Sequence, residues 1–170
     1  MSDSQLTTPS PVGSANRAGE LAARLGQANT EVIEFVRACP PTRWAAKTRA
    51  EGWTVAAAAM HIAFGHMTIV PWVHRLSAGL PVTETTSDFA VFNAADGQKH
   101  ANADPTEVVE CLRTYGDAAL RYVRGLTDEE LEGKARFEPA GAELTAAQLV
   151  EGVLLGHVTG HFASMRAATD

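Results

Sequence analysis

Residues 54–77 read TVAAAAMHIAFGHMTIVPWVHRLS, and this stretch decides the fold. Thr54 is a good N-cap, because its hydroxyl can accept from the free backbone N–H groups of a first helical turn. From Val55 to about Ser77 almost every residue is apolar, on all sides of a helix. A helix without a polar face has to be buried among other elements. Pro71 lies inside it and is expected to kink or split it. Gly79 with Pro81 ends it.

The flanking sequence supplies partners for that central helix. Upstream, Leu21, Leu25, Ala28, Val32, Phe35 and Cys39 alternate steps of four and three, an amphipathic stripe. Pro40 and Pro41 stop it. Downstream, Asp104-Pro105 reads as an N-cap with proline in the first helical position. Val108, Leu112, Tyr115, Ala119, Tyr122 and Leu126 then continue the same spacing. Thr127-Asp128-Glu129-Glu130 reads as another cap with a short turn. Residues 133–143 read as a loop or a short extended piece. Thr145 caps a last helix, about Ala146 to Ala167, with the stripe Leu149, Val153, Leu154, His157 and His161. Between the second and third long helices, FAVFNAADGQKHAN (89–102) reads as a further helix, with Ser87 or Asp88 as candidate caps. No strand pattern of any length competes, and no internal repeat is present. The pattern predicts an all-α fold, a four-helix bundle.

Size and charge bound the function. The chain has 170 residues, 45% of them apolar and 20% charged. That fits one domain over residues 16–170, behind a Ser/Thr/Pro/Gly-rich tail at 1–15 that is expected to be disordered. The formal net charge of −6 argues against nucleic acid and anionic membrane as partners. No uninterrupted apolar run approaches the ~18 residues that span a bilayer. The N-terminus lacks the basic and apolar regions of a secretory signal. Cys39 and Cys111 stand far apart and read as reduced thiols, so a cytoplasmic protein is expected. Arginine outnumbers lysine 11 to 3 and alanine occurs 30 times, a bias that fits an actinobacterial, GC-rich genome.

Three histidines carry the chemistry. His157 and His161 are four apart, so they share a helix face at about 6 Å. Burying two imidazoles on one face is costly unless both find partners, and a shared cation satisfies both. His61, from the central helix, would complete a three-nitrogen site that leaves positions open for water or substrate. Imidazole donors suit zinc, nickel, iron or copper rather than magnesium or calcium. One divalent transition metal is expected, zinc first, with nickel or iron as alternatives. The bland alternative is that all three are core histidines.

Gly65, Thr68 and Trp72 share the face of His61. Gly65 leaves room beside an ion, and Thr68 can hold a water or a substrate oxygen. Phe64, Thr68 and Trp72 are the expected substrate contacts, within an apolar lining of Phe64, Met67, Trp72 and Phe162. Gly156 and Gly160 read as sites of close approach by a backbone or ligand. His66 lies about 140° round the helix from His61 and off its face. His100 sits in a polar stretch and is expected in solvent. Glu151, six residues before His157, points elsewhere. No carboxylate lies one turn along the chain from a candidate ligand, so no general base is visible.

The run RACPPTRWAAKTRAEGWTVAAAAMHIA resembles a known family. Trp44, then Gly52-Trp53-Thr54-Val55, then His61 is similar to the N-terminal domain of mycothiol-dependent maleylpyruvate isomerases, within the DinB-like superfamily. Asp88 and Asn93 match that family's Asp-x-x-x-x-Asn segment. LLGHVTGHFASMRAA matches its closing ligand helix. The resemblance covers about residues 17–167. It implies a DinB-like four-helix bundle with one long crossover connection, a homodimer, and one divalent metal held by His61, His157 and His161. It also implies a thiol cosubstrate such as mycothiol, and a role for Asn93 in orienting substrate or water at the catalytic site. The chain departs from the isomerase at His157, where the isomerase has Glu, and the isomerase's C-terminal domain is not expected in it. Both departures point away from maleylpyruvate isomerisation.

The expected function is therefore a metal-dependent enzyme acting on a small hydrophobic electrophile, of the thiol S-transferase or isomerase type. A metal-dependent hydrolase, or a lyase or cyclase that tailors natural products, is the alternative. A small-molecule or metal-binding bundle without catalysis is the other.

Overall fold

Thr54 caps the central helix as its position predicts: its hydroxyl accepts from the Ala57 N–H at 3.1 Å. In the computed structural model, which describes residues 17–170, that helix is the third of eight. The expected tail at 1–15 lies outside the described residues. α1 (Arg17–Ala38) buries Leu21, Leu25 and Val32 and ends just before Cys39. A single turn, α2 (Pro41–Trp44), follows, and α3 spans Val55–Ser77. α4 (Thr86–Lys99) and α5 (Pro105–Arg124) come next, then the short α6 (Asp128–Glu132).

α3 stays continuous through Pro71. The proline ring removes the bond to the Met67 carbonyl, and both Met67 and Pro71 face outward. The freed carbonyl is therefore on the side where water can serve it, and no break is needed. By length and composition alone α3 could cross a bilayer, yet 72% of that window is buried inside the protein. It is a core helix.

α4 is capped by Thr85, with Asp88 as the reciprocal partner three residues on, rather than by Ser87 or Asp88. A hairpin occupies 134–145: β1 (Lys134–Phe137) pairs antiparallel with β2 (Ala142–Thr145). Gly141, at φ +61°, makes its turn. Val82 bonds across to the hairpin on both sides of Phe137, which fixes that ring against α3. The last element begins as α7 (Ala146–Leu149) under Thr145 and widens into a π-helical turn (Val150–Leu155). It then continues as α8 (Gly156–Thr169). A regular helix over this range was expected. Gly152 and Gly156 hold the regular α form weakly, at about 1 kcal/mol each against alanine.

Four long helices make the bundle. α5 packs on α1 and α3, α8 packs on α3, and the π turn leans on α1. Round the bundle the order is α1, α5, α3, α8, so α1 and α3 stand diagonally. Residues 125–145 carry the chain across from α5 to the last helical element. Leu25, Val32, Met60, Ile62, Leu76, Leu112, Leu149, Leu154 and Met165 fill the centre, all fully buried.

Candidate metal centre

α3 delivers His61 to one end of the bundle, and α8 delivers His157 and His161. One nitrogen from each lies within 4.8 Å of the others. The ring centres are 4.6–4.9 Å apart. Gly65 makes this possible. A Cβ there would lie 2.2 Å from His157 Cε1, so the missing side chain makes room for a ring rather than for an ion.

Two carboxylates stand behind the histidines. His61 Nδ1 pairs with Asp96 Oδ2 at 3.1 Å, and His161 Nδ1 with Glu51 Oε1 at 2.8 Å. A carboxylate only accepts, so each Nδ1 carries the hydrogen and each Nε2 keeps its lone pair. Ser164 donates to the other Glu51 oxygen at 2.7 Å. Burial pushes the Glu51 carboxyl up, but bonds from Ser164, Thr48 and His161 outweigh it and hold its pKa below the usual value. Burial pushes His61 down, helped by repulsion from His161 and opposed by Asp96. His157 is pushed well below the ordinary range, by burial first and by the neighbouring histidines second. Its Nδ1 is buried with no hydrogen-bond partner.

Trp53 seats the cluster. Its ring stacks on His161 with centres 5.9 Å apart and meets His61 edge-on at 4.9 Å. Gly52, at φ +72°, turns the chain so that Glu51, Trp53 and Thr54 all serve the site. Both carboxylates were missed in the sequence because they reach the histidines across the fold, not along a helix. The only local trace is that Glu51 abuts Gly52-Trp53-Thr54-Val55.

A cavity of about 240 Å³ opens beside the cluster. The three histidines line it together with Phe64, Thr68, Trp72, Asn93, Phe89, Phe92 and Phe137. Among the described residues, no Arg, Lys, Asp or Glu lines it. Thr68 spends its hydroxyl hydrogen on the Phe64 carbonyl at 3.2 Å, which leaves its oxygen able to accept.

Other expected residues fall elsewhere. Met67 is 51% exposed, and Phe162 packs edge-on against Phe35 at 5.5 Å, so neither lines the cavity. Gly156 and Gly160 face open space, with nothing within 4 Å of an added Cβ. His100 is not in solvent: it is mostly buried, 3.4 Å from Asp96 and against Phe64. His66 stands apart, bonded to Asn29 Oδ1 at 3.1 Å. Glu151 pairs with Arg24 on the surface. Asp88 is used in the α4 cap.

The donor set fits a divalent transition metal. Three imidazoles converge, two with Nε2 left free by their carboxylates, and burial keeps His61 and His157 in the neutral form that a metal requires.

The profile of the mycothiol maleylpyruvate isomerase N-terminal domain matches residues 25–161. The chain belongs to that family. The Gly-Trp-Thr-Val stretch and His61, His157 and His161 fall inside the range matched by the maleylpyruvate isomerase N-terminal domain family. Two solved structures share the fold. YfiT from Bacillus subtilis, described as a probable metal-dependent hydrolase with an unusual four-helix bundle topology, is 17% identical with a TM-score of 0.74. The match covers 95% of this chain and 91% of that one. The mycothiol-dependent maleylpyruvate isomerase is 11% identical with a TM-score of 0.69, over 87% of this chain and 60% of that one. Among curated proteins, no sequence matches the chain.

Proposed function

We propose that this chain is a metal-dependent enzyme that works on a small hydrophobic electrophile, of the thiol S-transferase or isomerase type. The observation that carries the reading is the convergence of His61, His157 and His161 at the wall of an apolar cavity. The three would hold one divalent metal, zinc first, with nickel or iron as alternatives. Such an ion, when bound, polarises a carbonyl or lowers the pKa of a water or thiol.

The chain's own residues do the rest. Phe64, Trp72, Phe89 and Phe137 exclude water and hold an apolar body. Asn93 lines the wall formed by α4, where its amide can orient a substrate oxygen. Thr68 can accept one further hydrogen bond. With no cationic side chain in the lining, the cavity offers a dianion such as maleylpyruvate no counter-charge of its own. This favours neutral substrates over the reaction that names the family. The second reading, a hydrolase, draws support from the description of YfiT, which this chain matches over nearly its whole length.

Metal analysis of the purified protein is the first test. One equivalent of metal is expected in the wild type, and little in His61→Ala, His157→Ala and His161→Ala. A wild type without metal after refilling with zinc, or variants that keep full content, would defeat the reading. Turnover then separates the classes. An aryl halide with a low-molecular-weight thiol reports transfer, and a neutral aryl ester reports hydrolysis. A loaded protein that turns over no electrophile of either kind leaves a binding bundle.

A further inference from the structure

One helix, α4, joins the far wall of the cavity to the histidine cluster. α4 has only two buried residues, Asp96 and Gly97. Asp96 is 8% exposed and sits between His61 Nδ1 at 3.1 Å and His100 Nε2 at 3.4 Å. Gly97 lies against Trp53, whose indole nitrogen would be 2.5 Å from an added Cβ. One to two turns back on the same helix, Asn93, Phe92 and Phe89 line the cavity. The first turn of α4 is capped by its own exposed Thr85–Asp88 box, and Phe89 packs on Trp72 with ring centres 4.9 Å apart. The helix is therefore seated by polar contacts at the histidines and by aromatic packing over the cavity.

We propose that Asp96 is a positioning residue with two effects. It fixes the tautomer of His61, and it ties the α4 wall of the cavity to the metal centre. Glu51 does the first of these for His161, from the loop before α3. The proposal rests on the metal-site reading above. Its logic is that a carboxylate behind a ligating imidazole holds the hydrogen on one nitrogen, orients the ring and raises the basicity of the other nitrogen. His157 has no such partner, so the three ligands are unequal: two are backed by charge and one by packing alone. Because Asp96 belongs to α4, whatever tightens the His61–Asp96 pair also holds Phe89, Phe92 and Asn93 in place. Metal loading and cavity closure become one equilibrium.

The first measurement needs no metal. Long-range proton–nitrogen spectra of the imidazoles read the tautomer of each histidine in the metal-free protein at neutral pH. His61 and His161 are expected with hydrogen on Nδ1. Asp96→Ala should release His61 to the other tautomer and leave His161 unchanged, which also shows that the variant is folded. Zinc alone is the second probe, with affinity measured by chelator competition. Asp96→Ala should weaken zinc binding by about 10- to 100-fold. Hydrogen exchange across residues 86–99 should slow on adding zinc to the wild type and not to Asp96→Ala. If Asp96→Ala does not fold, Asp96→Asn decides. Its amide keeps the shape and can still accept a bond, but it carries no charge, and zinc affinity should fall about tenfold. A folded Asp96→Ala with the wild-type His61 tautomer, or an Asp96→Asn with wild-type zinc affinity, overturns the proposal. A wild type that binds no zinc instead defeats the metal-site reading, while the tautomer spectra still test Asp96.

Discussion

Gly65 stands where a methyl group would overlap the His157 ring, at 2.2 Å from Cε1 and 2.6 Å from Nδ1. Gly160, by contrast, has nothing within 4 Å of an added Cβ, although it lies one residue before His161. The two positions look alike in the sequence, as glycines beside candidate ligands, and only one is required. Overpacking costs about 1–3 kcal/mol. At Gly65 the cheapest relief is to push His157 aside, because its Nδ1 has no hydrogen bond to hold it. Gly65→Ala should therefore weaken zinc binding about tenfold or more, since each 1.4 kcal/mol is tenfold in affinity. Gly160→Ala should leave zinc binding as it is and raise stability by up to about 1 kcal/mol, the helix preference of alanine over glycine. Chelator competition and urea unfolding on the pair check both. Equal zinc affinity in Gly65→Ala and wild type would show that Gly65 does not set the His157 position.

The helices differ in what depends on their first turn. Thr54 caps α3 and also donates to the Ala101 carbonyl at 2.8 Å, which pins the end of the α4–α5 connection to the central helix. Thr127 caps only the five-residue α6, which buries Leu131 alone. Losing a threonine cap costs about 0.5–2 kcal/mol, and losing a part-buried hydrogen bond adds about 1 kcal/mol. Thr54→Ala should lower the urea midpoint by an amount worth about 2–3 kcal/mol, and Thr127→Ala by less than half of that, both with unchanged slope. Equal losses would mean that the Ala101 bond contributes nothing. These caps also show what could be read without coordinates. Thr54, Asp104, Thr127 and Thr145 are legible because a cap and the turn it serves are neighbours in sequence. So are the His157–His161 pair and the stripes of α1 and α5, which depend on one helical period. The α4 start was misplaced by two to three residues, because Thr85, Ser87 and Asp88 are all able caps and only the tertiary seat chooses among them. The hairpin that brings Phe137 to the cavity reads in the sequence only as a loop or a short extended piece, and the π turn breaks an otherwise regular helical pattern. The two carboxylates were not legible because each is a contact between distant segments: Glu51 is 110 residues from His161, and Asp96 is 35 from His61.

Across the whole molecule, a second buried polar cluster crosses the bundle away from the cavity. His66 on α3 donates from Nε2 to Asn29 Oδ1 on α1, and Asn29 Nδ2 donates to the Leu112 carbonyl on α5 at 2.9 Å. Gly116 on α5 leaves the space that Asn29 fills, since a Cβ there would lie 2.3 Å from Asn29 Nδ2. Three of the four bundle helices thus meet at one hydrogen-bonded point inside an apolar core. His66 is 1% exposed, and burial pushes its pKa from 6.5 down to about 4. The folded state therefore holds His66 neutral, while the unfolded chain protonates it near pH 6.5. The unfolded state binds more protons between those two values, so stability rises with pH across that window. The contribution is complete above about pH 6.5, is lost as pH falls toward 4, and levels off below, for a total of roughly 3 kcal/mol. His61 and His157 are pushed down as well, so in the metal-free protein they add to the same slope. A variant isolates the share of His66. His66→Gln can still donate to Asn29 and does not titrate. It should be less stable than the wild type at pH 7.5, from imperfect packing, and the gap should narrow or reverse by pH 4.5. Urea unfolding of both metal-free proteins at pH 7.5, 6 and 4.5 measures this. A gap that stays constant over that range would mean that His66 does not take up its proton on unfolding, and that the acid sensitivity of the bundle lies with other groups.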